Sequence, residues 1–381
     1  MNKELVWAQT ADFQFQADVS YSFGQQLLFH LTSKETVPVE LATLYFQAPE
    51  FNSTYIGLED GIEVAANGFR VVHEVDLSTI RLAPFTTVTY WWVLKTAVGD
   101  EIRLPEQNFV YADNQFEWQN LAQGSTTVYW TGNDAALGQI ALDVVTEARP
   151  TLQMLVTMPA EMPLAIYIYP TSADLRAALR LTGRDWVGAH AAPELGVLLV
   201  TAVNIRTATT DLGQNLPHEM MHFYLYQMMP DNYEQLPVWL NEGLATLVEL
   251  TPRPVYETVL TTAVADQNTI PFAQLCTSLP TDDEQTLLAY AQSLSLMQYI
   301  QAEYGTQKLR ELIAVFGDGA DCQTGPARAL STSLTDLNQD WLRHLQPRSE
   351  LAQFWDENGL WFLLLFVGLA MTSLLIIRNP L

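Results

Sequence analysis

The stretch N-L-P-H-E-M-M-H-F-Y-L-Y-Q, residues 215–227, carries the pattern H-E-x-x-H at His218, Glu219 and His222, with Pro217 directly before the first histidine. On a helix, positions four apart share a face. His218 and His222 can therefore present two neutral imidazoles to one cation, and Glu219, beside the first, can reach a water held there as general base. The bland reading is two satisfied histidines on a buried helix. Pro217 conflicts with a helix arriving from upstream but not with one that begins there. The stretch thus predicts a helix over 217–229, capped by Asn215 or a neighbour. Proline then falls in the first turn, where its missing N–H costs little.

Catalytic zinc takes three protein ligands and leaves a position for water. A third candidate lies in L-P-V-W-L-N-E-G-L-A-T-L-V-E-L, residues 236–250, which predicts a second helix over 237–250 with Glu242 one turn inside it. Pro230 and the polar D-N-Y-E-Q run make a loop between the two helices. Helices joined by a short connection can pack side by side, which would bring Glu242 towards the histidines and form a His₂Glu set. Alone, Glu242 would read as a surface glutamate.

Around these residues the sequence reads as several parts. Residues 1–122 hold short runs with partial alternation, such as F-Q-F-Q-A-D-V-S-Y-S-F, separated by turn signals. They predict an all-β sandwich of immunoglobulin or fibronectin type, read as a spacer or binding module. Residues 123–346 begin with strand runs, include a helical stretch interrupted at Pro150, and continue into helices expected at 284–303, 306–315 and 335–345. Strands first and helices after predict an α+β domain. Residues 347–357 read as a juxtamembrane linker and 358–378 as a transmembrane helix, because 358–377 contain no charged residue and are nearly all apolar. Arg378 favours a cytoplasmic C-terminus, which predicts a membrane-anchored protein whose remainder is extracellular or periplasmic. The opening M-N-K-E-L-V-W-A-Q-T-A-D-F has no apolar signal core, so export requires a start further upstream; the other reading is a tail anchor with a cytosolic catalytic part.

Of the 381 residues, 18 are Lys or Arg, and the formal net charge is -25. Such a surface repels phosphate backbones and argues against a nucleic-acid partner. Cys276 and Cys322 follow no C-x-x-C pattern; outside the cell they form one disulfide, and otherwise two thiols.

H-E-M-M-H followed by W-L-N-E-G-L-A resembles the gluzincin metallopeptidases, specifically the peptidase MA-like family, over residues 126–345. The resemblance implies a zinc-dependent peptidase acting on a peptide or protein. His218, His222 and Glu242 would bind Zn2+, and Glu219 would activate water. It also implies a Tyr or His donor to the oxyanion, for which Tyr290 in L-L-A-Y-A-Q-S-L-S is the candidate; a packed core tyrosine is the equal reading, and Tyr224 and Tyr299 are weaker choices. The strand at 196–203 resembles the edge strand that pairs with extended substrate, with an ordinary core strand as the competing reading. The thermolysin-like acid four residues after the glutamate is absent, since that position is Thr246. Glu249 reads more readily as a solvated position than as a carboxylate orienting a ligand histidine. Two other functional readings stay open. One is a non-catalytic cell-surface binding protein that uses the metallopeptidase fold as a scaffold. The other is hydrolysis of a non-peptide bond.

Overall fold

The alternation in Q-L-L-F-H-L-T-S, residues 26–33, is a strand with one face inward: every second side chain is buried. A computed structural model describes residues 6–10, 13–35, 38–49, 53–59, 61–65, 68–157, 162–180, 189–346, 358, 359, 361, 362 and 364. Among them the first strands in chain order are β1 (Val6–Thr10), β2 (Phe13–Ser22), β3 (Gln26–Ser33), β4 (Val39–Gln47), β5 (Tyr55–Glu59), β6 (Glu63–Ala65), β7 (Gly68–Asp76), β8 (Thr87–Thr96), β9 (Glu101–Arg103) and β10 (Gln107–Val110). They form two antiparallel sheets, ordered β1-β2-β3-β7-β6 and β10-β8-β4-β5, with β9 on β8. Registers such as Leu31 opposite Val71 and Leu44 opposite Trp92 place apolar side chains on the inner faces. There Phe29 packs against Phe46 and Tyr90, at ring distances of 5.6 and 5.1 Å. The N-terminal part is therefore a β-sandwich.

A third sheet follows, ordered β11-β12-β13-β15-β14. Its strands are β11 (Trp118–Gln123), β12 (Thr126–Thr131), β13 (Leu164–Tyr169), β14 (His190–Ala192) and β15 (Val197–Thr201). The helices are α1 (Ala135–Leu155), α2 (Ser172–Arg180), α3 (Ala208–Met228), α4 (Val238–Leu247), α5 (Pro254–Ala265), α6 (Asp283–Tyr304), α7 (Thr306–Gly317), α8 (Thr324–Leu330) and α9 (Leu334–Leu345). The expected α+β layout is corrected here. β12, β13 and β15 run parallel, and parallel neighbours need crossovers. α1 and α2 supply them, so this part is α/β. The expected interruption at Pro150 is also absent, because α1 runs through it.

β13 and β15 are buried almost throughout, as strands covered on both faces should be. α3 packs on α1 and on β15 and β14. Tyr167, Tyr169, Val197 and Leu199 of the sheet, with Leu175 and Leu179 of α2, belong to the same buried cluster as the sandwich core. β15 lies between β13 and β14, so the reading of 196–203 as a substrate-pairing edge strand gives way to a central strand.

The chain divides into two compact units: Met1–Tyr233 with Leu244–Pro252, and Glu234–Gly243 with Arg253–Leu381. In the second, Trp239 packs against Phe272 and Phe316, and Phe272 against Trp341. A disulfide joins Cys276 to Cys322, and Trp239 Nε1 donates to Cys322 Sγ at 3.3 Å.

The expected transmembrane helix is corrected. No helix among the described residues is long and apolar enough to cross a membrane. A span needs about 20 predominantly apolar residues. The long helices α1, α3 and α6 have 21, 21 and 22 residues, but each carries charged or polar positions along its length. Residues 347–357, 360, 363 and 365–378 lie outside the described residues.

Candidate metal centre

α3 begins nine residues earlier than the proline rule predicts, at Ala208, and places Pro217 in its interior. Local turn chemistry starts it. Asn204 Oδ1 accepts from Arg206 N–H, and Thr207 Oγ1 donates to Asp211 Oδ2 at 2.8 Å. A proline inside a helix deprives the carbonyl four residues back of its donor. Here that carbonyl is Gly213, and it accepts the Leu250 N–H at 2.8 Å. A tertiary hydrogen bond thus replaces the helical one, and the helix continues into H-E-M-M-H.

From Leu216 to Leu225 nearly every α3 residue is buried, including Glu219 and His222 at 6% and 8% exposure. The imidazoles of His218 and His222 lie 4.9 Å apart and are inclined at 76°. Ligand atoms of His218, His222 and Glu242 all fall within 4.8 Å of one another. Two imidazole nitrogens and one carboxylate oxygen, gathered at partly to fully buried positions, are the donor set of a three-ligand zinc site with an open position. The residues present fit a zinc ion.

Glu249 is where the structure departs most from the sequence reading. α4 ends at Leu247, and the chain turns, with Glu249 N–H donating to the Thr246 carbonyl. The Glu249 side chain is only 3% exposed, and its Oε1 lies 3.1 Å from His218 Nδ1. With Nδ1–H donated to this carboxylate, His218 keeps the Nε2 lone pair for a cation. The solvated reading of Glu249 is corrected.

The helix that carries Glu242 lies close against α6. A Cβ on Gly243 would lie 2.6 Å from the Ser293 carbonyl oxygen and 2.8 Å from Met297 Cγ. Only glycine therefore lets α6 come this close to α4. Tyr290 lies on α6 one turn before Ser293, on the same helix face, and is half-buried. Tyr224 is a core residue against Phe223, and burial raises its phenol pKa, with Arg149 opposing. Tyr299 packs against Tyr304 and His344. Burial, reinforced by Tyr304, Asp340 and Glu303, pushes its pKa up to about 12.

The Peptidase MA superfamily model matches residues 145–347, just over half of the chain. The chain belongs to the Peptidase MA superfamily. Among curated proteins no match reaches significance. Solved structures similar to this Peptidase MA member include an M1 zinc metallopeptidase from Deinococcus radiodurans, at 12% identity and a TM-score of 0.35, covering 86% of this chain and 93% of that one. An aminopeptidase N family protein from Idiomarina loihiensis aligns at 10% identity and 0.36, covering 88% and 74%. OgpA from Akkermansia muciniphila aligns at 13% and 0.21, covering 29% of this chain and 28% of its own. At these TM-scores the likenesses carry no argument, and the assignment rests on the family match.

Proposed function

We propose that this Peptidase MA member is a zinc-dependent peptidase. The observation that carries the reading is the convergence of His218, His222 and Glu242, with Glu219 buried beside the first ligand. Bound there, zinc supplies a Lewis acid for the scissile carbonyl and lowers the pKa of a water to about 7. The protein does the rest. Glu219 takes the proton from the attacking water and delivers it to the leaving amine, so its carboxylate serves as base and then as acid. Glu249 holds the His218 ring by Nδ1. Tyr290 is the proposed hydrogen-bond donor to the oxyanion, supported by its place on the α6 face that meets α4 beside Glu242. The disulfide supports a further part of the proposal, that the peptidase works in an oxidising, extracytoplasmic compartment.

The test is metal analysis and a peptide-library digest on the purified chain, wild type against Glu219→Gln. About one zinc per chain is expected in both, with cleavage reduced roughly 10²- to 10⁴-fold in the variant, the span of a general base. A wild-type chain without stoichiometric zinc, or cleavage indifferent to Glu219→Gln, overturns the reading.

A further inference from the structure

Two α3 residues four apart, Gly213 and Pro217, lie outside the ligand pattern of the helix, yet both serve one contact. Pro217 has no N–H, so the Gly213 carbonyl is open to a donor from elsewhere. Leu250 N–H takes it at 2.8 Å. Gly213 leaves room for the approach, since a Cβ there would lie 2.9 Å from Thr251 Oγ1. The next residue adds a second tie, with Gln214 Nε2 donating to the Pro252 carbonyl at 3.3 Å. Residues 250–252 are thus strapped to α3 one turn before the ligands. Glu249 is the residue immediately before that strap, and its carboxylate meets His218 Nδ1 at 3.1 Å.

We infer that Pro217 is a positioning residue of the metal centre. By vacating the Gly213 carbonyl it creates the dock for Leu250. The dock sets Glu249 against His218, and Glu249 presents His218 Nε2 to the metal. The inference rests on the zinc reading above and extends it to residues that touch no ligand. It also explains a helix-breaking residue directly before a ligand. The His218 backbone and the docked carbonyl belong to one rigid helix, so the spacing between dock and ligand is constant.

The decisive variant is Pro217→Ala in the full chain. Alanine restores an N–H that competes with Leu250 for the Gly213 oxygen, while removing a residue unfavourable inside helices. If proline only shaped the helix, the variant would be more thermostable, with unchanged zinc affinity and an unchanged visible spectrum when loaded with Co(II). The dock predicts zinc affinity, measured by chelator competition, reduced roughly tenfold, at the lower end of the 10- to 100-fold expected for partners behind a ligand, together with altered Co(II) absorption bands. Glu249→Gln should lose at least as much. The double variant should bind no more weakly than Glu249→Gln alone, because both changes act on one contact. Unchanged affinity in Pro217→Ala, or additive losses in the double variant, overturns the inference while leaving the zinc reading intact. A wild-type chain that binds no zinc overturns both. Should Pro217→Ala fail to fold, Gly213→Ala, which drives a Cβ into Thr251, decides by the same two readouts.

Discussion

Asp113 is a carboxylate at 1% exposure, set among aromatic side chains. Tyr169 O–H donates to its Oδ2 at 3.2 Å and Gln115 N–H to its Oδ1 at 3.1 Å. Burial still dominates and raises its pKa above the usual carboxylate range, with Asp174 adding to the rise. The sign of the linkage follows. The folded state holds the proton to higher pH than the unfolded chain, so the contribution of Asp113 to stability is fully present below the unfolded pKa of about 3.9 and is lost as pH rises through the higher folded value. Asp113→Asn keeps the shape and removes the charge. Its stability relative to wild type should increase from acid towards neutral pH and then level off, as read by denaturant unfolding across pH. A difference that stays flat with pH would contradict the assignment. His218, Glu219 and His222 were legible in the sequence because spacing on one helix dictates which groups share a face, and Glu242 because a short connection to the next helix and the W-L-N-E-G-L-A resemblance pointed to it. For Glu249 the less favoured of its two readings is the one the structure shows, because it lies past the end of α4, where face arithmetic no longer applies.

Gly243 decides how α4 lies on α6. The atom a Cβ would meet at 2.6 Å is a backbone oxygen, which cannot rotate away. Gly243→Ala should therefore destabilise the fold by about 1–3 kcal/mol, the usual range for overpacking, and lower its unfolding temperature. It should also weaken zinc binding, since the displaced helix carries Glu242; zinc affinity equal to wild type would show that α4 tolerates the shift. α6, α7 and α9 form close to where caps and periodicity place them. Asp282 accepts from Gln285 N–H, and Ser333 from Asp336 N–H. α5 and α8 went unread for reasons visible in their burial. α5 buries only Tyr256 and Ala263, so its apolar stripe is faint, and α8 is a seven-residue helix containing Gly325 and Pro326. α3 was misplaced at its start because proline statistics describe a helix alone, whereas this one borrows a donor from Leu250.

The sandwich and the third sheet share a core. Phe85 stacks on Tyr167 at 3.5 Å and meets Trp118 of β11 edge-on at 6.1 Å, and Phe116 meets Tyr169 edge-on at 5.6 Å. Removing residues 1–117 would expose Tyr167, Tyr169, Leu175 and Leu199, each worth about 1.5–3 kcal/mol of burial on the scale for large apolar side chains. The truncated chain is expected to aggregate or melt without a cooperative transition in circular dichroism and size exclusion. A soluble monomer with a sharp melt would show that the shared core is dispensable. The sandwich is on this view part of what folds the third sheet.

Local chemistry in the chain was enough to single out His218, Glu219 and His222 on one helix, most helices and the β character of the first third, because periodicity and short-range spacing are properties of neighbours along the backbone. Long-range hydrogen bonding and packing decided the rest. They made the strands of the third sheet parallel, carried α3 through Pro217, buried Glu249 against His218 and joined the sandwich to the sheet. Each of these depends on which distant groups satisfy a backbone donor or cover an apolar face, and no single segment contains that information.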